Sequence, residues 1–314
     1  MMATTATEDL IARARGGDKR SIARLLSTVE NDEPAAPAVL KALYPETGQA
    51  EVIGITGPPG GGKSTLVNRL AGLYRERGMR VAVVAVDPSS PFSGGAILGD
   101  RIRMQERSLD DGIFIRSMAS RGHPGGLARA TVRVVNILDA LGTGVVIVET
   151  VGVGQEEVDV VGVADTVCLV TVPGLGDDIQ AIKAGVLEIA DVLVVNKADR
   201  PGADETVRDL AQMLSLAKDQ PWKPPIVRTS ARSGEGLEQL ADAVAKHRAW
   251  SIASGERIRR RRDAARSEVL ALLREALLRR LESRVGGTRL DAAVSRVADR
   301  ELDPYAAVDE LLRD

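Results

Sequence analysis

The octapeptide Gly57-Pro58-Pro59-Gly60-Gly61-Gly62-Lys63-Ser64 lies between EVIGIT (51–56), a run of strand-forming residues, and a helix-forming stretch from about 63 to 77. A glycine, four residues and then Gly-Lys-Ser, placed after a strand and at the opening of a helix, is the P-loop pattern. The glycines let successive backbone N–H groups converge on phosphate oxygens, and the helix N-terminus adds partial positive charge. Lys63 is placed to reach β- and γ-phosphates and the Ser64 hydroxyl to bind Mg²⁺. Thr65 follows in the first helical turn. The feature therefore predicts both a strand–loop–helix unit and a nucleotide ligand.

The rest of the chain repeats that unit. RVAVVAV (80–86), IFIRS (113–117), VVIVE (145–149), TVCLVTV (166–172), VLVVN (192–196) and PIVRT (225–229) are short apolar, β-branched runs. Their continuous apolar character suits parallel strands buried on both faces. Helical stretches fit between them at about 97–108, 127–141, 177–189, 204–218 and 236–249. Such alternation predicts an α/β fold, a P-loop NTPase with a mostly parallel sheet flanked by helices. Residues 1–48 read as an N-terminal helical extension, broken at Gly16-Gly17 and punctuated by Pro34 and Pro37. Residues 49–250 form the P-loop domain. SIASG (251–255) reads as a linker into a C-terminal helical arm, 251–314. That arm has a long helix over 256–285, ended by Gly286-Gly287, and shorter helices near 288–299 and 304–313.

Two further motifs choose the nucleotide. Asn196-Lys197-Ala198-Asp199, at the end of a buried-type strand, has the guanine-reading pattern. A carboxylate at Asp199 accepts from the guanine ring N–H and the exocyclic amine; adenine lacks that donor pair and leaves the carboxylate unpaired. Thr229-Ser230-Ala231, at the end of the next strand, matches the loop whose backbone meets the guanine oxygen. In Val145–Gly154 the apolar run ends in Glu149, where GTPases carry an acidic residue that orients Mg²⁺, usually Asp. Gly152 follows at the position whose N–H senses the γ-phosphate. Gln155 lies three residues past Gly152, not adjacent to it as in Ras-like switches, and with Glu149, Gly152 and Glu156 it is expected to transmit the nucleotide state. Asp87 in VDPSS and Asp100 in GGAILGDRIRM are further candidates for Mg²⁺ or the attacking water.

Composition removes other classes. Lys and Arg total 42 against 44 Asp and Glu, a net charge of −2, so no overall positive field exists to hold a nucleic acid or an anionic membrane. Aromatic residues are only 2%, which argues against a base-stacking surface. Cys168 is the one cysteine, set in an apolar run and expected to be a buried core residue. No apolar run approaches the roughly 20 residues of a spanning helix, and the first residues do not resemble a signal peptide, so a cytoplasmic protein is expected. His123, in a glycine-rich segment with Arg121, reads as structural or as part of a phosphate-sensing loop. Arg257 and Arg259 to Arg262 form a basic cluster, read as a solvated helix face or an acidic partner's surface.

The ordered set GPPGGGKST, VDPSSPFSGGAILGDRIRM, SMASRGHPGGLA, ETVGVGQEE, PGLGDDIQAIKAGVLEIADVLVVNKAD and DPYAAVDELL resembles the MeaB/ArgK family of P-loop GTPases from about residue 10 to 314. The resemblance implies a homodimeric G-protein chaperone of adenosylcobalamin-dependent acyl-CoA mutases, methylmalonyl-CoA mutase above all. It implies GTP/GDP and Mg²⁺ as ligands, with Ser64, Asp87, Asp100 and Glu149 serving the metal. Gly60 to Thr65, Asn196, Lys197, Asp199 and Ser230 would hold the nucleotide, and Gly152–Glu157 would be a switch. The chain departs from the family pattern at Pro124, where an apolar residue such as leucine is expected. Two other readings stand beside this one. An ATP-dependent kinase of a basic amino-acid transport system is opposed by Asn196–Asp199. A GTPase metallochaperone of the hydrogenase or urease type is opposed by a content of one Cys and two His.

Overall fold

The structure, a computed structural model, describes residues 2–87, 110–119, 126–150, 162–174, 189–216 and 221–312. The chain divides into two compact units, Met1–Arg257 and Ile258–Asp314.

The first unit is built on a seven-stranded sheet. Its strands are β1 (Glu51–Thr56), β2 (Val81–Asp87), β3 (Ile113–Ala119), β4 (Val145–Thr150), β5 (Thr166–Thr171), β6 (Val192–Val195) and β7 (Ile226–Arg228). The order is β3-β2-β4-β1-β5-β6-β7 and every pairing is parallel. Parallel neighbours need crossovers. The described ones are helical: α4 (Lys63–Glu76) joins β1 to β2, α5 (Gly126–Ala140) joins β3 to β4, and α6 (Ala203–Leu216) joins β6 to β7. Helices cover both faces, so β1, β4, β5 and β6 are buried at every residue. This is why their sequences read as unbroken apolar runs instead of alternating ones.

One face packs against α4 and α7 (Leu237–Ala253); Ile53, Ile55, Val145, Ile147 and Val170 meet Leu66, Leu70, Leu240 and Val244 there. The other face packs Val84, Val146 and Val148 with α5 and three N-terminal helices, α1 (Met2–Arg15), α2 (Lys19–Glu30) and α3 (Ala36–Leu43). Leu25, Leu26, Val29 and Leu43 of those helices are almost fully enclosed in that core. The predicted break after α1 is a left-handed Gly17 (φ 87°) followed by Asp18, whose carboxylate accepts from Ser21 N at 3.0 Å and caps α2. A smaller core joins Leu169, Leu193 and Val195 to Leu210 of α6.

Strand and helix ends agree with the sequence reading to within a few residues. The helices expected at 97–108 and 177–189 lie outside the described residues. The linker expected at 251–255 is different in the structure. Helix α7 runs through Ala253, with Ser251 buried and its hydroxyl donating to Arg248 O at 2.9 Å. The break comes at Ser254 and Gly255, which has φ 77°. Cys168 is buried as expected, and burial pushes its thiol pKa up.

The second unit contains most of α8 (Glu256–Val285), together with α9 (Gly287–Ala298) and α10 (Pro304–Leu312). Ala293 of α9 and Ala307 of α10 are buried, and Arg296 pairs with Glu310 at 2.7 Å. Val269, Leu270, Leu272, Leu273, Leu277 and Leu278 of α8 are exposed.

Candidate nucleotide site

The carboxyl end of β1, the central strand by order, delivers residues 57–62 to the start of α4. Gly57 passes so close to β5 that a Cβ there would stand 2.1 Å from Val170 O, so no other residue fits. Gly60 and Gly62 have φ 73° and 83°, the left-handed region glycine enters without penalty. Helix α4 has no side-chain cap at its N-terminus. The N–H groups of a first helical turn lack intrahelical partners and attract anions. Lys63 is buried and arches back over its own loop, donating from Nζ to Gly57 O at 2.6 Å and Pro58 O at 3.0 Å. Pro58 is buried, while Pro59, Gly60 and Thr65 lie on the exposed rim.

Strand β4 is the direct neighbour of β1, in a register that pairs Ile55 with Glu149. Glu149 is buried and its Oε1 accepts from Ser64 Oγ at 2.6 Å. One step on, the Thr150 hydroxyl donates to that of Thr56 at 3.0 Å, joining the ends of the two strands. Asp87 is the last residue of β2, one position past the Val86–Thr150 pair. The Asp87 side chain, Asp100, Gly152 and Gln155 lie outside what the structure describes, as do His123 and Pro124. Among the described residues, no three His, Cys, Asp or Glu side chains form a metal cluster.

The other wall comes from the ends of β6 and β7. The Asn196 amide donates from Nδ2 to Gly61 O at 2.8 Å. Its Oδ1 accepts from Ala231 N at 3.1 Å and Thr229 Oγ1 at 3.2 Å. Lys197, at φ 56°, donates from Nζ to Gly60 O at 2.7 Å. Ala198 N donates to Thr229 O at 3.0 Å, and Ser230 N closes a small turn onto Glu235 O at 3.0 Å. Asp199 is exposed; the Ser230 hydroxyl and then backbone hydrogen bonding hold its pKa below the usual carboxylate value. The P-loop residues, Asn196, Lys197, Ser230 and Ala231 are thus gathered at one end of the sheet, with Asp199 on their open side.

Over residues 22–285 the sequence matches the family described as "Methylmalonyl Co-A mutase-associated GTPase MeaB". The chain belongs to the MeaB family of P-loop GTPases. A Pyrococcus horikoshii protein, provisionally named a GTPase, is 49% identical over 309 residues, 97% of each chain. The Escherichia coli protein "GTPase ArgK" is 37% identical over 78% of this chain and 77% of its own. The mouse protein "Methylmalonic aciduria type A homolog, mitochondrial" is 34% identical over 83% of this chain and 64% of its own. A solved structure called "LAO/AO transport system kinase" superposes with a TM-score of 0.71 at 27% identity, covering 98% of this chain and 96% of that one.

In this MeaB-family chain the donor set beside the P-loop suits Mg²⁺. It is a hydroxyl and a carboxylate, both hard oxygen ligands, meeting at the start of α4. The sequence reading passed over the Thr56–Thr150 pair and over the reach of Asn196 to both Gly61 and Ala231. Threonine at a strand end carries no pattern of its own. The span of the Asn196 amide depends on how two loops, 135 and 35 residues away in sequence, come to flank it.

Proposed function

We propose that this GTPase is a chaperone of an adenosylcobalamin-dependent acyl-CoA mutase, methylmalonyl-CoA mutase foremost, gating cofactor delivery and protecting the mutase from inactivation. The observation that carries the reading is the family match over 22–285, whose description names association with methylmalonyl-CoA mutase. The mouse relative named for methylmalonic aciduria supports it. We read 1–48 as a helical extension, 49–250 as the GTPase domain and 251–314 as the dimerisation arm of a cytoplasmic homodimer. The exposed Val269, Leu270, Leu272, Leu273, Leu277 and Leu278 of α8 support that last assignment, because exposed apolar side chains gathered in one segment call for a covering surface.

In the proposed mechanism, Asp199 accepts from guanine while Asn196 holds the base loops to the P-loop. Lys63 exchanges the carbonyls of Gly57 and Pro58 for β- and γ-phosphate oxygens. The N–H groups opening α4 cradle the same phosphates. Ser64 and Glu149 would hold Mg²⁺, with Asp87 and Asp100 completing the set, and the ion when bound would supply neutralisation of phosphate charge. Gly152 and Gln155, three and six residues past Glu149, report the γ-phosphate to the partner.

The test is a titration of purified methylmalonyl-CoA mutase into a GTP hydrolysis assay, followed by cobalamin transfer with GTP and with a non-hydrolysable analogue. The expected result is faster hydrolysis on binding and transfer that depends on the nucleotide. Confirmed binding with neither effect rejects the chaperone reading and leaves the GTPase assignment standing. The kinase name of the superposable structure favours a second reading, phosphoryl transfer from ATP to a transport protein. Competition of ATP against GTP decides between them, since Asp199 is expected to reject adenine.

A further inference from the structure

Between the end of β7 and the start of α7 the chain makes a closed turn over residues 230–236. Gly234 N donates to Ser230 O at 2.8 Å and Ser230 N to Glu235 O at 3.0 Å, so Ser230 and Glu235 meet in a short antiparallel bridge. Two groups at the base end of the site hang from this turn. Ala231 N donates to Asn196 Oδ1 at 3.1 Å, and the Ser230 hydroxyl bonds to the Asp199 carboxylate and lowers its pKa. Arg232, Ser233 and Glu235, which form the rest of the turn, are exposed.

Gly236 closes the turn and caps α7 with φ 78°. A Cβ there would stand 1.9 Å from Arg228 O and 3.0 Å from both Arg228 C and Thr229 Cα. All three are backbone atoms, and both sides of the contact are anchored. Thr229 N donates to Val195 O at 2.9 Å and Ala198 N to Thr229 O at 3.0 Å, which fixes the end of β7 to β6 and the loop after it. Across the gap, Leu237, Leu240 and Ala241 of α7 are buried in the core shared with α4. A methyl group inserted between two anchored segments forces a backbone shift, and the exposed turn is the part that can shift. Gly234 makes a useful contrast: its φ is 88°, yet only Leu237 Cδ1, at 3.8 Å, lies near the place of its Cβ. The turn is also tied to α4, since the exposed Arg69 donates from Nη2 to Arg232 O at 3.1 Å.

We infer that the 230–236 turn, closed by Gly236 against Arg228 and tied by Arg69 to α4, sets the base selectivity of the nucleotide site, with Gly236 and Arg69 as positioning residues. The inference rests on the reading of Asp199 as the guanine acceptor and deepens it. A shift of the turn carries Ser230 away from Asp199 and Ala231 N away from Asn196. It leaves the phosphate end alone, because the hydrogen bonds of Lys63 to Gly57 and Pro58, and of Ser64 to Glu149, lie outside the turn. Base recognition and phosphate binding should therefore separate.

The test measures binding of GTP, of inosine triphosphate, which lacks the exocyclic amine, and of tripolyphosphate, which has no base, to the full chain with Mg²⁺. The unaltered protein is expected to prefer GTP over inosine triphosphate by about tenfold or more. Gly236→Ala is expected to weaken GTP by about tenfold and bring the two nucleotides to near-equal affinity, with tripolyphosphate binding unchanged. In hydrolysis, KM for GTP should rise while kcat holds. Gly234→Ala is expected to lose less; an equal loss would place the effect in backbone strain and overturn the role given to the Arg228 contact. Equal affinities in the unaltered protein defeat the Asp199 reading and this inference with it. A preference for GTP that survives Gly236→Ala, or tripolyphosphate binding that falls together with GTP, overturns the inference and leaves the Asp199 reading standing. Should circular dichroism show Gly236→Ala unfolded, Arg69→Ala, at an exposed position, carries the test: a narrowed GTP preference is expected, and an unchanged one overturns the inference.

Discussion

At the proposed base end of the nucleotide site, Asn196 is 1% exposed and both sides of its amide are engaged, with Gly61 on one side and Thr229 and Ala231 on the other. At the phosphate end, Lys63 is also buried, but its ammonium bonds to carbonyls of the loop it is expected to serve. Ser64 and Glu149 likewise bond to each other. Both ends are polar, and at both the buried nitrogen donors, the Asn196 amide and the Lys63 ammonium, are hydrogen-bonded, as buried polar groups generally are. They differ in what a ligand changes. Asn196 can keep every contact while a base docks against the neighbouring Asp199. On the proposed mechanism, Lys63 and Ser64 exchange internal partners for phosphate and metal. Selectivity at one end would then rest on a frame already built, and chemistry at the other on groups held in place until the substrate arrives.

The largest effect should come from the exchanging end. Lys63→Ala is expected to lower GTP hydrolysis by about a hundredfold to a thousandfold, the usual loss when one charge-stabilising group is removed. Circular dichroism should show the fold retained, because Lys63 lies at the opening of α4 and bonds to carbonyls of the preceding loop, outside the hydrophobic cores. Turnover near that of the unaltered protein would end the assignment. Next in size is Asp199→Asn, which should weaken GTP binding by roughly tenfold to a hundredfold and improve binding of a xanthosine nucleotide. Equal shifts for both nucleotides would show that Asp199 does not read the base.

Asn196→Ala tests the built frame. It removes three hydrogen bonds at one buried position and should cost about 1–3 kcal/mol of stability by denaturant titration, with GTP weakened as the base loops separate from Gly61. A loss of affinity with no loss of stability would mean that Asn196 is not the clamp. The smallest effect is expected from Ser230→Ala. The Ser230 hydroxyl is the leading cause of the lowered Asp199 pKa. A lowered pKa keeps the carboxylate charged further into acid. Removing the hydroxyl should therefore make GDP binding fall off at higher pH than in the unaltered protein, with affinity at neutral pH little changed.

The sequence marked the P-loop at Gly57–Ser64 because phosphate chemistry imposes both residue types and spacing on a contiguous stretch. Asn196–Asp199 is likewise a contiguous motif at a strand end, and its expected reading of guanine rests on the same kind of local pattern. Glu149 was legible as an acidic residue ending a strand, but its bond to Ser64 was not, since the two lie 85 residues apart. The end of α7 misled in another way. SIASG looks like a linker by composition, yet Ser251 is buried and helical, and the chain turns only at Gly255, where φ becomes positive.

The sequence by itself determined that this chain builds a parallel α/β sheet around a phosphate loop. Periodicity and glycine spacing are local properties, and apolar runs of this kind have few other ways to be buried. The tertiary structure alone decided the strand order that puts β4 and β5 on either side of β1. That order carries Glu149 to Ser64 and brings the carbonyl of Val170 against Gly57. It also decided that Leu25 and Leu26 of α2 would be enclosed while Leu273 and Leu277 of α8 stay exposed. All four are leucines in helices. Their fates differ because burial depends on which surface the folded chain brings against each helix, and no local pattern records that.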